Sequence, residues 1–150
     1  FSMDYYEVTR DRLTSMGWRV NPFPLIWHKS DNTGLLPDPQ RGPRRIYETA
    51  FFASRGDRLV VQPVSNLFAH PGRDKEIHMS EKPVAMLKHF FRMVCDGNSV
   101  VLDPTSGSAN SLKAAEALGA NFVVGLEKER EFYERARDAY FNDSEPGFDL

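Results

Sequence analysis

The stretch Ser99-Val-Val-Leu-Asp-Pro-Thr-Ser-Gly-Ser-Ala-Asn110, followed by Asn121-Phe-Val-Val-Gly-Leu-Glu127, decides the fold. The first segment reads as a short buried strand (Val100, Val101, Leu102) that runs into a tight turn and then a helix. The second is a β-branched strand ending at a carboxylate, 24 positions after Asp103. Strand, small-residue loop, helix, strand, acid is the layout of a βαβ unit that holds a nucleoside. Small loop residues let a ligand approach the backbone, and N–H groups opening a helix attract an anionic group. An acid ending the second strand can take both ribose hydroxyls with its two oxygens. Function is therefore expected at the C-terminal edge of a parallel sheet.

A dinucleotide fingerprint needs G-x-G-x-x-G, and this loop has only Gly107, which disfavours a dinucleotide oxidoreductase. Asp103, Pro104, Gly107 and Ser108 instead match D-P-F-x-G-S-G-T. Upstream, His78-Met-Ser-Glu-Lys-Pro83 matches H-x-x-x-K-P about twenty residues before the loop, and Gly125-Leu-Glu127 with Tyr133 and Ala136 matches G-x-E…Y…A. With these segments in this order, the chain resembles the DNA amino-methyltransferases, which methylate adenine N6 or cytosine N4 with S-adenosylmethionine. The resemblance covers roughly residues 4–141. It implies a Rossmann-like α/β methyltransferase fold, incomplete here, and double-stranded DNA as partner. It also implies cofactor contacts from Asp103, Pro104, Thr105, Gly107, Ser108 and Glu127, with Lys82 beside the methionine end. Asp103 would accept from the cofactor's ammonium group, and Glu127 would hold the ribose.

Blander readings of the same residues stand beside these. Asp103 can simply cap a turn, Ser108 can be the N-cap of the following helix, and Lys82 can be a surface lysine. Glu127 can be one more solvated acid in Glu127-Lys-Glu-Arg-Glu131. Departures from the family pattern are Thr105 in place of an aromatic, Ala109 in place of a third glycine, and Asn110 in place of Thr. The family's catalytic (D/N/S)-P-P-(Y/F/W) tetrapeptide is absent. Asn21-Pro-Phe-Pro24 has the wrong order, and it lies inside Gly17–Lys29, which resembles a later family segment, G-W-x-V…P-x-x-W-x-K. The chain thus corresponds to the C-terminal portion of a permuted enzyme. Its catalytic residues are unassigned and its catalytic segment is expected before Phe1. A noncatalytic nucleoside- or DNA-binding module that kept the fold is the alternative.

Composition agrees with one core over residues 1–150, at 41% hydrophobic. Within it, 1–61 form a helix plus extended segment, 78–141 the cofactor-binding region, and 142–150 a loose tail. No apolar run approaches the roughly 20 residues of a membrane span, and no signal peptide is expected from Phe1-Ser-Met-Asp4. The single Cys95 suits a reducing cytoplasm. Its place at the end of an amphipathic helix reads as core packing rather than as the thiolate needed for methylation at cytosine carbon 5. His28, His70, His78 and His89 lack metal-ligand spacing, so no metal site is expected. Net charge is −2, although Arg41, Arg44, Arg45, Arg55 and Arg58 crowd one region that is either a solvated hairpin or a phosphate-contacting surface.

Periodicity predicts a helix over Asp4–Met16 with Tyr6, Leu13 and Met16 inward and Gly17 as its stop. Extended chain follows over Trp18–Lys29, then a loop over 30–44, a strand over Ile46–Ser54, and a turn into Leu59-Val-Val61. A helix opens at Pro83 with Val84, Leu87, Phe91 and Val94 inward. The last helix spans Glu129–Phe141 and buries Phe132, Ala136 and Tyr140. Glu48 matches an acid in relatives of the family, with no chemistry assigned.

Overall fold

A computed structural model describes residues 3–72 and 81–142. The chain divides into two compact units, with the boundary between Asp74 and Lys75. His78, Met79 and Ser80 of the H-x-x-x-K-P segment, and the tail from 143 onward, lie outside the described residues.

The first unit opens with a 3-10 turn (Met3–Tyr5) and helix α1 (Tyr6–Ser15). Gly17 ends α1 at φ +82°, and Trp18 N–H reaches back to Leu13 O at 3.0 Å, so the glycine stop forms as expected. Only Tyr6 is buried on this helix, while Met16 is exposed. The Tyr6 ring packs on Phe51 with centroids 4.6 Å apart. Strands β1 (Arg19–Val20), β2 (Leu25–Lys29), β3 (Tyr47–Ala50), β4 (Ala53–Ser54) and β5 (Leu67–His70) follow. β2 is central, antiparallel to β3 and parallel to β5, while β1 pairs separately with β4. Trp27, at the middle of β2, is 2% exposed and donates its indole N–H to His70 O at 3.0 Å.

Two further expectations change in this unit, beside the outward placement of Met16. Ile46–Ser54 is two strands in different sheets, separated at Phe51–Phe52. Leu59-Val-Val61 is exposed and joins no strand; the position beside β2 goes to Leu67–His70, whose parallel partner is remote in sequence. The five clustered arginines are all exposed. Arg41 pairs with Asp38 and Arg45 with Asp4, each at 3.3 Å.

The second unit contains α2 (Val84–Phe91), β6 (Val100–Asp103), α3 (Asn110–Glu116), β7 (Phe122–Gly125) and α4 (Arg130–Asn142). β6 and β7 are parallel, in register from Val100 opposite Phe122 to Asp103 opposite Gly125. α3 is the crossover, so the βαβ unit forms as read. Its Ala114 and Ala115 are fully buried, and α2 packs against it. The buried side of α2 is Met86 and Phe90, continuing to Met93, whereas Val94 is exposed. This corrects the expected Val84, Leu87, Phe91, Val94 face by about one residue, roughly 100° on a helix. Both candidate faces of Val84–Val94 carry apolar residues, so periodicity alone could not choose between them.

β6 is also less buried than its sequence implies, since Val100 and Leu102 are 67% and 61% exposed. They share the face opposite to Val101, as strand alternation requires. Cys95 is buried, with its Sγ 3.6 Å from Ala115 O. On α4, Ala136 is buried and Phe132 and Tyr140 are half-buried. Among the described residues no helix is long and apolar enough to cross a membrane.

Candidate nucleoside-binding site

Parallel pairing brings the ends of β6 and β7 together. Leu126 N–H continues the pairing onto Asp103 O at 2.8 Å, and Ser106 N–H returns to Leu126 O at 2.8 Å. The loop after β6 is thereby laced to the exit of β7. Gly125 permits the approach: a Cβ there would lie 2.6 Å from Leu112 Cδ1 and 2.8 Å from Ser106 Cβ.

Asp103 uses both carboxylate oxygens. Oδ1 accepts from Thr105 N–H at 2.9 Å, an Asx turn, and Oδ2 accepts from the Ser111 hydroxyl. The turn-capping reading of Asp103 thus holds, and it also aims the carboxylate along the cavity wall. Glu127 accepts from Gly107 N–H through Oε2 and from Glu129 N–H through Oε1, each at 2.9 Å. It is therefore not one more solvated acid; it staples the loop to the start of the α4 segment. Charge-assisted bonds of this kind are worth about 1.5–3 kcal/mol when shielded.

A cavity of about 280 Å³ opens beside these groups. Lys82, Asp103, Thr105, Gly107, Ser108 and Glu127 line it, while Pro104 turns the chain outside the lining. Sequence reasoning missed Glu81, Leu87, Ser106 and Ser111, which also line it. Ser111 was legible in principle, one turn into the helix and eight positions past Asp103. Three carboxylate residues (Glu81, Asp103, Glu127) and one lysine (Lys82) line this small volume.

Ser108 is buried but is not the N-cap of α3; that position is Ala109, with a left-handed φ of +61°. This is where the family pattern carries glycine, and the backbone shows why, because a Cβ in that conformation costs about 1–2 kcal/mol. Asn110 follows at the first turn, where its side-chain amide donates to Glu81 Oε1 at 2.8 Å and to Lys82 O at 3.0 Å.

Two other cavities lie elsewhere among the described residues. One of about 290 Å³ lies among α3, β7 and α4 and shares Ser106 and Glu127 with the first. Tyr140 lines it, its phenol pushed above the ordinary tyrosine range by burial and by the Glu116 carboxylate. The other, about 490 Å³, lies in the first unit beside a half-buried Lys29–Glu48 ion pair at 2.8 Å. Glu48 thus has a structural partner, and Lys29 also lies 5.1 Å over the Trp27 ring. Neither cavity combines a strand-exit carboxylate pair with a glycine loop.

Comparison with known proteins adds an independent line. The family described as DNA methylase (N6_N4_Mtase) matches residues 61–138. The Type II methyltransferase M.HindIII of Haemophilus influenzae is 37% identical over 60 residues, which are 40% of this chain and 19% of that protein. Among solved structures, the M1.HpyAVI–SAM complex superposes with a TM-score of 0.77 at 24% identity, covering 93% of this chain and 71% of that one. TTHA0409 of Thermus thermophilus, a putative DNA modification methylase complexed with S-adenosyl-L-methionine, gives 0.69 at 20% identity over 95% and 61%. The PvuII DNA methyltransferase (cytosine-N4-specific) gives 0.73 at 14% identity over 97% and 59%. The chain therefore spans about a fifth of the curated relative and 59–71% of these solved chains. The shared architecture is the Rossmann-like α/β methyltransferase fold, in part.

Proposed function

This chain belongs to the DNA methylase family, and on that premise we propose a function for the intact protein. It transfers a methyl group from S-adenosylmethionine to the exocyclic amine of adenine (N6) or cytosine (N4) in double-stranded DNA. This chain holds the cofactor. The observation that carries the reading is the convergence of Asp103, Glu127 and the Gly107 backbone on one cavity at the exit of parallel strands.

The cavity's chemistry fits the ligand. Asp103, held by Thr105 and Ser111, meets the ammonium group, and Lys82 meets the ligand carboxylate. Glu127 accepts from the ribose hydroxyls while it keeps Gly107 in place. Thr105 and Ser108 complete the polar wall. Three carboxylates at the same wall repel the phosphates of a dinucleotide, which agrees with the lack of G-x-G-x-x-G. When bound, S-adenosylmethionine supplies an electrophilic methyl on a sulfonium. The residues of this chain hold and orient it, and such alignment contributes much of the rate in a bimolecular transfer.

The acceptor amine has its lone pair delocalised into the base ring. The base must leave the duplex, and hydrogen-bond acceptors must hold its amine toward the methyl group. That task falls to a (D/N/S)-P-P-(Y/F/W) segment joined to this chain. Cys95 supports amine chemistry by its position: a thiol packed in the core against Ala115 O cannot attack carbon 5 of a cytosine. We place the enzyme in the cytoplasm, with DNA and not a membrane as its partner.

Titration calorimetry tests the reading. S-adenosylmethionine, or its demethylated product, is expected to bind and NAD is not. Tight NAD binding with no response to S-adenosylmethionine overturns it.

A further inference from the structure

We infer that the outer face of the β6–β7 pair, formed by Val100, Leu102, Phe122 and Val124, is the docking surface for the segment of the intact protein that carries the (D/N/S)-P-P-(Y/F/W) tetrapeptide. The inference rests on the reading, given above, that such a segment is joined to this chain.

The strand register fixes which side chains share this face. Val100 stands opposite Phe122, and Leu102 opposite Val124, in a parallel pair whose side chains alternate along each strand. Val101 and Asp103 therefore point the other way, together with Val123 and Gly125. That inner side meets α3: Val123 and Gly125 line a cavity with Leu112, and a Cβ on Gly125 would touch the Leu112 side chain. On the outer side Val100, Leu102 and Phe122 are each more than half exposed, and Val124 is half-buried. These four side chains carry no polar atom for water to bond.

A parallel pair does not ordinarily keep such a face in water. All-parallel sheets occur almost only with both faces covered, and two strands alone are too few for independent stability. Single apolar residues on a surface are ordinary, whereas a contiguous apolar patch marks a contact. Among the described residues α3 is the main element packed on the pair, and it takes the inner side. The length of the matching structures identifies the occupant of the outer side. Three solved chains superpose on 93–97% of this chain but are matched over only 59–71% of their own length. The remainder of that fold has no counterpart in these 150 residues, and it supplies the cover. Leu102 immediately precedes Asp103, which lines the nucleoside cavity, so a segment seated on this face borders that cavity.

Thiol labelling tests the surface. Val100→Cys and Phe122→Cys place a thiol on the face, and Arg130→Cys places one on α4, where the side chain is 89% exposed. Each is made in the 150-residue chain and in the intact protein, and alkylation by iodoacetamide is followed by peptide mass spectrometry, which reads the buried Cys95 separately. In the 150-residue chain all three positions should react at the rate of an exposed thiol. In the intact protein the Val100 and Phe122 positions should slow about tenfold or more while Arg130 is unchanged, as burial of a thiol requires. Val100→Cys removes little volume, so it remains informative if Phe122→Cys unfolds the intact protein. Equal rates at all three positions of the intact protein overturn the inference. Slow labelling in the 150-residue chain that deepens with its concentration, with a dimer in sedimentation, also overturns it and assigns the face to a second copy. Methyl transfer to DNA by the unsubstituted intact protein tests the underlying reading separately, so the two can fail independently.

Discussion

Replacing Gly125 with Ala places a methyl group against the loop that follows β6 and against α3. The new Cβ would lie 2.6 Å from Leu112 Cδ1, 2.8 Å from Ser106 Cβ and 2.9 Å from Ser106 Oγ. Leu112 can rotate its terminal methyl away at small cost. Ser106 cannot, because its N–H and hydroxyl both bond Leu126 O and its carbonyl accepts Ala109 N–H. Carbon atoms settle at about 3.5 Å, so Ser106 and its loop must move by roughly 0.7 Å. Overpacking of this kind costs about 1–3 kcal/mol of stability. The same movement pulls Gly107 N–H from Glu127 Oε2, so S-adenosylmethionine affinity should fall about tenfold, the scale of one charge-assisted bond. Urea unfolding followed by circular dichroism reads the first effect and titration calorimetry the second. Gly97→Ala is the control, since its Cβ would meet only Gly119 O at 3.9 Å, and its stability should stay within about 0.5 kcal/mol. A Gly125→Ala protein as stable as the control, with unchanged affinity, refutes the argument that close approach at this residue builds the site.

Glu127→Gln should lower S-adenosylmethionine affinity roughly 10- to 150-fold, from loss of charge-assisted contacts to the ribose; unchanged affinity in a folded variant returns Glu127 to a purely structural role. Ala109→Gly should relieve the left-handed strain at φ +61°. Against the lost burial of one methyl group, net stability should be unchanged or rise by up to about 1 kcal/mol. A melting temperature clearly below that of the unsubstituted chain would contradict that backbone assignment. Asp31 offers a pH test. Burial works against its charge, but the Thr33 hydroxyl and the backbone of Gly72 and Thr33 prevail and hold its carboxyl at about 2. A depressed carboxyl stabilises the fold above its unfolded value near about 4, and that contribution disappears as pH falls toward about 2. Asp31→Asn should therefore flatten the loss of first-unit stability over that window, and an acid-unfolding curve identical to the unsubstituted one would count against the hydrogen-bond account.

Much of this protein was legible without coordinates wherever the deciding interactions are close in sequence. The βαβ unit spans fewer than about thirty residues, so hydrophobic strands, a small-residue turn and an acid at the strand exit suffice to bring Asp103, Gly107 and Glu127 together. Gly17 ended α1 for the same local reason, as the residue best able to take a positive φ there. Three matters needed the tertiary structure. β2 takes Leu67–His70 as its parallel neighbour, a pairing set by a partner some forty residues away. α2 buries Met86 and Phe90 although Val84, Leu87 and Phe91 offer an apolar face of their own, and α2 is packed against α3. Glu81 and Asn110 meet across 29 positions, joined by a side-chain bond that leaves no pattern in the chain. Local propensity and spacing thus determined the frame of the site, while contacts between remote segments decided which further side chains line it.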